Sequence, residues 1–535
     1  MGIIAHNSRY RKIWMFPRNI RRIHPWKMAQ ICSLINELVS AGSWTGNQSM
    51  QNAFCKALEN AGLKRRGVQY SPNSGGPRTY FGQLKCLGLI FQREDKSVWF
   101  TKAGEDLLKG EPPLPIMQRL LLRHQYPSVY QKLNNVKINP DIKVKPFLFV
   151  LDLMLDRRIG HLTIEELCIP VVYGHNQDCL ELCVEKILRL RAGEKLKDVV
   201  TDAADYYTPR AKRRSKADAL KDIHDIANTC KNYLQAVCLI DVIDNGRAEE
   251  IKINPDMLPV IHEAQREKSR FISVNDDEES FQRAYGSWDS AKDTRLLTKE
   301  GVEQKISSGE SIIAAMFMQY CGERPVVSFP QDFIERMIRE FGFREKFITE
   351  VITPFLARSL SYFESTFLEL SKGGQVKALE FERAVGNLFK DRLLFKVTHT
   401  GQLKRPSGVG GYSDLFLIAL DDKTCALVEV KASPFYTLSS EDYEKMASNY
   451  IPNSNELIGG RDLKLEFCVY VAGGFHAPSV AHKLVEIKRK TNLDASAISA
   501  LDLLSLAKRG IDADGQVKLT RVFKKNKILS VSDLN

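Results

Sequence analysis

Three side chains stand out by type and spacing: Asp414, Glu429 and Lys431. Glu429 and Lys431 lie in the run Cys425–Lys431, which reads as a strand. Strand geometry sends Leu427, Glu429 and Lys431 to one face and Ala426, Val428 and Val430 to the other. A strand this apolar is ordinarily buried. A carboxylate beside an ammonium is costly there unless the two are paired or used. Asp414 opens the preceding predicted strand, Leu415–Leu420, and Asp421-Asp422-Lys423 supplies the turn between them. Such a hairpin sets the Asp414 and Glu429 carboxylates side by side, where they repel unless a hard divalent cation lies between them. Oxygen-only ligands favour Mg²⁺, with Mn²⁺ as a substitute, over zinc. The chemistry that needs these parts is phosphodiester hydrolysis. A cation polarises the phosphoryl oxygen and activates water, and an ammonium orients that water and offsets the developing charge.

The flanking sequence supplies elements to position the trio. Residues 376–396 are expected to form a helix and the start of a strand. The helix places Phe381, Val385, Leu388 and Phe389 on one face, with Glu382 beside them. The loop Gly410-Gly411-Tyr412-Ser413 precedes Asp414, and a strand (Leu465–Ala472) and a helix (Pro478–Lys490) follow. Asp-x14-Glu-x-Lys on this framework resembles the PD-(D/E)XK nuclease superfamily over about residues 376–505, with Ser413 at a position often held by Pro. The resemblance implies that Asp414 and Glu429 are metal ligands and that Lys431 positions water. It makes Glu382 a helper carboxylate for a second metal or water, with Glu380 as its competitor. Gln402, Lys404 and Arg405 are placed to meet phosphate. His399 reads first as a surface or core histidine and second as a site neighbour. The Gly408–Gly411 loop lacks the Lys-Ser/Thr ending of a nucleotide-binding P-loop.

The formal charge of +12 is concentrated: residues 1–100 hold fifteen Lys and Arg against four acidic residues, while the rest holds 62 against 61. Trp14, Trp26, Tyr80, Phe81 and Trp99 in that stretch argue for a folded basic face suited to a polyanion. Residues 45–110 read as a winged helix-turn-helix: a helix near 48–62, a Ser71–Pro77 loop, a helix near 78–87, a hairpin turning at Glu94-Asp95-Lys96, and a short helix capped by Thr101. The second helix is then the one for the major groove, with Arg78, Thr79, Gln83 and Lys85 on its open face and Arg65 and Arg66 on phosphates.

Residues 113–265 read as a second helical, winged-helix-like recognition module with a hairpin at Asp244-Asn245-Gly246. The basic run Arg210–Lys216 is a solvated loop that either touches phosphate or does not. Residues 266–300 read as a polar linker, and 301–535 as a helical lead-in plus nuclease domain. The fold class expected is therefore multidomain α+β / α/β, with N-terminal winged-helix-like modules and a C-terminal restriction-endonuclease-like α/β core. With Arg123-His124-Gln125-Tyr126-Pro127-Ser128 and Pro146–Leu151 in the second module, the plan resembles Type IIS restriction endonucleases of the AlwI group and their strand-nicking relatives. That resemblance implies cleavage of double-stranded DNA a few base pairs from a short asymmetric site. With one site per chain, a second cut requires a transient homodimer or a second nuclease subunit.

Other classes find less support. No run of ~18 apolar residues offers a membrane span. The N-terminus fits neither a signal peptide nor a myristoylation signal, because His6 stands where Ser or Thr is needed. Eleven scattered cysteines fit buried thiols in a cytoplasmic protein. His175, Cys179 and Cys183 lack the second pair that a structural zinc site needs. Two alternatives remain: a structure-specific repair or recombination nuclease, and a DNA-binding protein on a catalytically weak nuclease fold.

Overall fold

The computed structural model describes residues 11–17, 24–39, 44–64, 75–133, 138–200, 216–244, 249–274, 277–289, 308–404 and 411–534. The chain divides into two compact units, residues 1–320 with 331–355 and residues 321–330 with 356–535.

In the first unit, Asn47 caps the helix Gln48–Asn60 by accepting from the Met50 amide, and Met50, Phe54 and Leu58 form its buried face. The helix Gly75–Cys86 leads into a hairpin of β1 (Ile90–Gln92) and β2 (Val98–Phe100), paired antiparallel with Phe91 opposite Trp99. Thr101 then caps the helix Lys102–Leu108. The second half of the unit is built round the helix Pro146–Leu155, apolar on all sides and buried accordingly. Trp14 packs edge-on against Phe149 and donates its indole N–H to the Gly174 carbonyl at 2.8 Å. Helices Ile164–Tyr173, Leu180–Arg191 and Lys216–Ala236 surround it, followed by an antiparallel hairpin of β3 (Ile240–Asp244) and β4 (Glu249–Ile253). Arg210 to Ser215 and the turn residues Asn245 and Gly246 lie outside the described residues.

The stretch expected as a polar linker is not all linker. Its described part contains the helix Glu278–Tyr285, with Phe281 and Tyr285 buried. Polar composition misled here because the charges are consumed in ion pairs, two of them with residues far back in the sequence. Glu278 pairs with Lys85 at 2.6 Å, and Glu279 pairs with Arg93 at 2.9 Å and Arg283 at 2.8 Å.

The second unit is a six-stranded mixed sheet ordered β10-β9-β8-β7-β6-β5. Its strands are β5 (Lys396–His399), β6 (Leu415–Ile418), β7 (Thr424–Lys431), β8 (Lys464–Ala472), β9 (Asp494–Ser499) and β10 (Ile528–Leu529). β5, β6 and β7 run antiparallel; β7 to β10 run parallel. On the face that carries Leu427, helix Ala477–Thr491 inserts Val480, Leu484 and Ile487 against Cys468 and Tyr470. The helix Gly374–Asp391 belongs to a separate cluster, where Phe389 meets Phe395 and Phe523. Among the described residues no helix is long and apolar enough to cross a membrane. All eleven cysteines are free thiols, ten of them buried.

Gly88 ends the helix Gly75–Cys86 at φ +68, and a Cβ there would come 2.5 Å from the Tyr285 ring. Both the left-handed backbone and the clash oppose any larger residue. Gly88→Ala is expected to destabilise the first unit by more than about 1 kcal/mol. Thermal unfolding should record this as a Tm at least ~2 °C lower. An unchanged Tm would mean that Tyr285 is not seated on this turn.

Candidate active site

The β6–β7 hairpin creates the site. Asp421 Oδ1 accepts from the Lys423 and Thr424 amides, and Asp422 takes φ +52, which closes the turn and fixes register. Leu415 then pairs with Val428, so Asp414, one residue before Leu415, comes level with Glu429. Asp414 is pinned from both sides. Its carbonyl accepts from the Thr400 and Gly401 amides beyond β5 at 2.8 and 3.1 Å. Its Oδ2 accepts from the Val430 amide at 2.7 Å.

Glu429, 6% exposed, has Tyr470 of β8 as its strand neighbour. Lys431 Nζ donates to Glu429 Oε1 at 2.8 Å. Glu429 Oε2 is buried with no hydrogen-bond partner. Burial pushes the Asp414 carboxyl up to about 8, with the Glu429 charge adding to the shift. Burial also raises the Glu429 carboxyl, against the pull of Lys431. At Lys431 burial opposes the charge, but the carboxylates prevail and the ammonium is held more firmly protonated than usual.

Glu382 is 6% exposed on its helix and accepts from His399 Nδ1 at 3.0 Å. Gly386 makes room for that imidazole: a Cβ there would stand 2.8 Å from His399 Cε1. His399 therefore lies against Glu382 rather than standing apart from it. Its neighbour Glu380 faces outward to Lys377 at 3.0 Å.

Between Lys431 and Leu465 the sequence offers no motif, yet this stretch surrounds the cluster. Tyr436 donates to Asp442 Oδ2 at 2.9 Å. Burial, then Asp442, raises the Tyr436 phenol; burial, then Glu429, pushes Tyr450 up to about 12. Asp442 adds a third negative field at Glu429 and Lys431. The one readable signal is Ser439, whose hydroxyl accepts from the Asp442 amide and starts the short helix Ser440–Glu444. A π-helical turn, Lys445–Tyr450, then carries Tyr450.

Asp414 and Glu429 are hard oxygen donors, and the unpartnered Glu429 Oε2 is where a cation would complete the pair. Among the described residues no three or more His, Cys, Asp or Glu converge as a metal cage. Two carboxylates with the remaining positions left to water and phosphate is the habit of Mg²⁺. His175 is instead buried against the Lys12 carbonyl at 3.0 Å.

The DNA-contact candidates separate. Arg65, Arg66 and Arg405 lie outside the described residues; Gln402 and Lys404 are exposed. Arg78 is exposed, with Nε 3.3 Å from Gln51 Oε1, and Thr79 is half-buried. Gln83 and Lys85, expected on the open face of their helix, are instead 1% and 7% exposed. Gln83 reaches Tyr233 at 3.3 Å and Lys85 pairs with Glu278. Residues far along the chain cover this side of the helix, and helical spacing cannot reveal that.

Residues 342–529, which hold the whole cluster, match the family of the FokI cleavage domain. Sheet, cluster and match together define the C-terminal unit as a nuclease-type hydrolase domain. Among solved structures, restriction endonuclease FokI bound to DNA aligns at 12% identity and TM-score 0.27, over 92% of this chain and 88% of that one. Free FokI aligns at 12% identity and 0.27, over 97% of this chain and 100% of that one. The BpuJ1 endonuclease binding domain in complex with modified DNA aligns at 16% identity and 0.31, over 45% of this chain and 84% of that one. Scores this low carry no weight alone; the family match does. No curated protein matches the chain.

The raised Asp414 value gives a signed expectation for the metal-free protein. The native carboxyl holds its proton to about 8, whereas the unfolded one loses it near ~4. The native state thus binds more protons between these limits, and stability falls as pH rises through the window. Asp414→Asn should flatten that fall, and Mg²⁺ should oppose it in the wild type alone. Urea midpoints from pH 5 to 8 measure it; identical curves for the two proteins would contradict the buried carboxylate pair.

Proposed function

We propose that this protein is a Mg²⁺-dependent, site-specific DNA endonuclease of the Type IIS kind. In this reading its N-terminal modules, 1–112 and 113–265, read the duplex, and its C-terminal unit cuts a few base pairs away. The observation that carries the reading is the convergence of Asp414, Glu429 and Lys431, with Glu429 Oε2 left open. The match to the FokI cleavage domain over the same residues supports it, as does the AlwI-like plan of the whole sequence.

Asp414 and Glu429 would hold the cation. When bound, it supplies a Lewis acid for a phosphoryl oxygen and a water of lowered pKa. Lys431, kept protonated by Glu429, orients the attacking water by donating to it and faces the added charge on phosphorus. Glu382, fixed by His399, is a second acceptor for a water at the site edge. Among the described residues one chain carries one such cluster, so in this reading it cuts one strand at a time. Cleavage of both strands then calls for a transient homodimer or a second nuclease subunit.

Incubating a plasmid of known sequence with Mg²⁺ and mapping the ends on both strands tests this. Fixed offsets from one asymmetric sequence are expected. Cuts that follow branches or ends would instead assign a repair or recombination nuclease, and tight site-specific binding with no cut a DNA-binding protein. Glu429→Gln and Lys431→Met should each abolish cleavage yet leave duplex affinity within about twofold of wild type. A variant that cuts at near wild-type rate would remove that residue from the mechanism. Arg78→Ala should weaken site binding by about 1–3 kcal/mol if it reads a base. Unchanged affinity and site preference in a gel shift would take its helix off the recognition surface.

A further inference from the structure

The second half of the first unit holds a concentration of cations that neither the cleavage site nor the helix Gly75–Cys86 uses. Three chain segments converge on it, each locked by backbone or amide hydrogen bonds. Tyr126 and Val144 exchange amide and carbonyl bonds at 2.7 and 3.0 Å. Gln125 clamps Ile272, donating to its carbonyl at 2.9 Å and accepting from its amide at 2.8 Å. The Lys143 amide is tied to the His175 carbonyl at 2.8 Å.

Lys143 and Lys145, two residues apart on this extended strip, both lie over the Phe271 ring, at 5.0 and 5.8 Å. Lys145 is 7% exposed, and its Nζ donates to the Glu267 carbonyl at 2.6 Å. Arg123 donates to the Ser287 carbonyl and, at 3.0 Å, to that of Ala284. The nearby carboxylates are already engaged: Glu267 with Arg270 at 2.9 Å and Glu263 with Arg119 at 3.0 Å. Among the described residues Arg123, Lys143 and Lys145 make no salt bridge of their own. Burial, then the charge of Arg123, pushes the Lys145 ammonium down to about 8. The Glu267 charge offsets Arg123 and Lys145 only in part; cations grouped in this way are costly, and an anion bound from outside offsets that cost.

We infer that Arg123, Lys143 and Lys145 form a preorganised site for a backbone phosphate of duplex DNA. The inference rests on the proposed reading that this chain binds duplex. The ligand is a phosphodiester and not a base edge. Ammonium groups on a ring face offer point charge without the bidentate geometry that reads sequence. The site therefore adds affinity and fixes the position of the duplex without choosing its sequence. It gives the Arg123–Ser128 stretch a role: the stretch supplies one cation and the two clamps that hold the others.

Duplex affinity measured against salt concentration, on oligonucleotides with and without the cleaved sequence, tests the site. Lys143→Gln and Lys145→Met should each weaken binding roughly three- to tenfold on both duplexes, and each should flatten the slope of log affinity against log salt by about one. Lys145→Arg should retain the wild-type slope. Lys145→Met removes a poorly compensated charge, so its Tm should equal or exceed that of wild type, which separates lost contact from lost fold. Should that variant fail to fold, the exposed Lys143→Gln alone carries the test. Wild-type affinity and slope in Lys143→Gln and Lys145→Met would overturn the inference while leaving the proposed function standing. A wild-type protein that binds no duplex at any salt would overturn the proposed function itself.

Discussion

A carboxylate flanked by Val428 and Val430 on a strand buried along most of its length is held against a steep desolvation cost, and the arrangement round Glu429 meets that cost in parts. Lys431 takes one oxygen. Asp414 would add repulsion, but the Val430 amide draws off some of its charge. The other Glu429 oxygen is left bare in the protein interior, at a cost of about 1–3 kcal/mol or more for a charged group. Much of the second unit serves to hold this unfavourable cluster in place. The Asp421 turn fixes register, β8 pairs with β7 on its other side, and helix Ala477–Thr491 packs on the face that carries Leu427. Folding stability is spent on holding two carboxyl groups together in the protein interior, a cost that a bound cation would relieve.

What was legible in the sequence was what local periodicity encodes. Alternation along Cys425–Lys431 gave the shared face of Glu429 and Lys431, and the acidic turn gave the hairpin that raises Asp414. Thr101 and its helix were readable for the same reason: a capping hydroxyl acts on amides three residues away. Gln83 and Lys85 were not readable. Their burial comes from Tyr233 and from helix Glu278–Tyr285, more than 140 residues downstream. Asp442 and Tyr436 were missed because their relation to Glu429 runs through a crossover between parallel strands, which leaves no spacing rule. His399 fell between the two cases: only the absence of a side chain at Gly386 lets it meet Glu382.

The first unit shows why counting charge along the chain overstates what one face presents. Of the basic residues in residues 1–100, Lys85 and Arg93 are neutralised by Glu278 and Glu279, and Lys64 by Glu59 at 3.2 Å. Local charge excess in the sequence thus partly becomes internal ion pairing. Arg123, Lys143 and Lys145, which make no salt bridge among the described residues, lie instead where the sequence is close to neutral. A polyanion senses the local field within about a Debye length, ~10 Å at 0.1 M salt, and not the average over a hundred residues.

In the proposed mechanism, the contact of Lys431 with only one Glu429 oxygen has a consequence. Because Lys431 engages Oε1 alone, the ammonium and a cation need not compete for one oxygen. Each keeps its own lone pair, and the Lys431 nitrogen stays within reach of anything bound at Oε2. An arginine at 431 would not reproduce this: its planar fork tends to engage both carboxylate oxygens and to close the open position. A compact ammonium two residues along the same strand is the residue that can neutralise the carboxylate, leave it free to bind, and still project its remaining N–H groups toward a water. The spacing Glu-x-Lys therefore follows from chemistry as well as from strand geometry. One intervening residue puts both groups on one face, and lysine is the cation that shares.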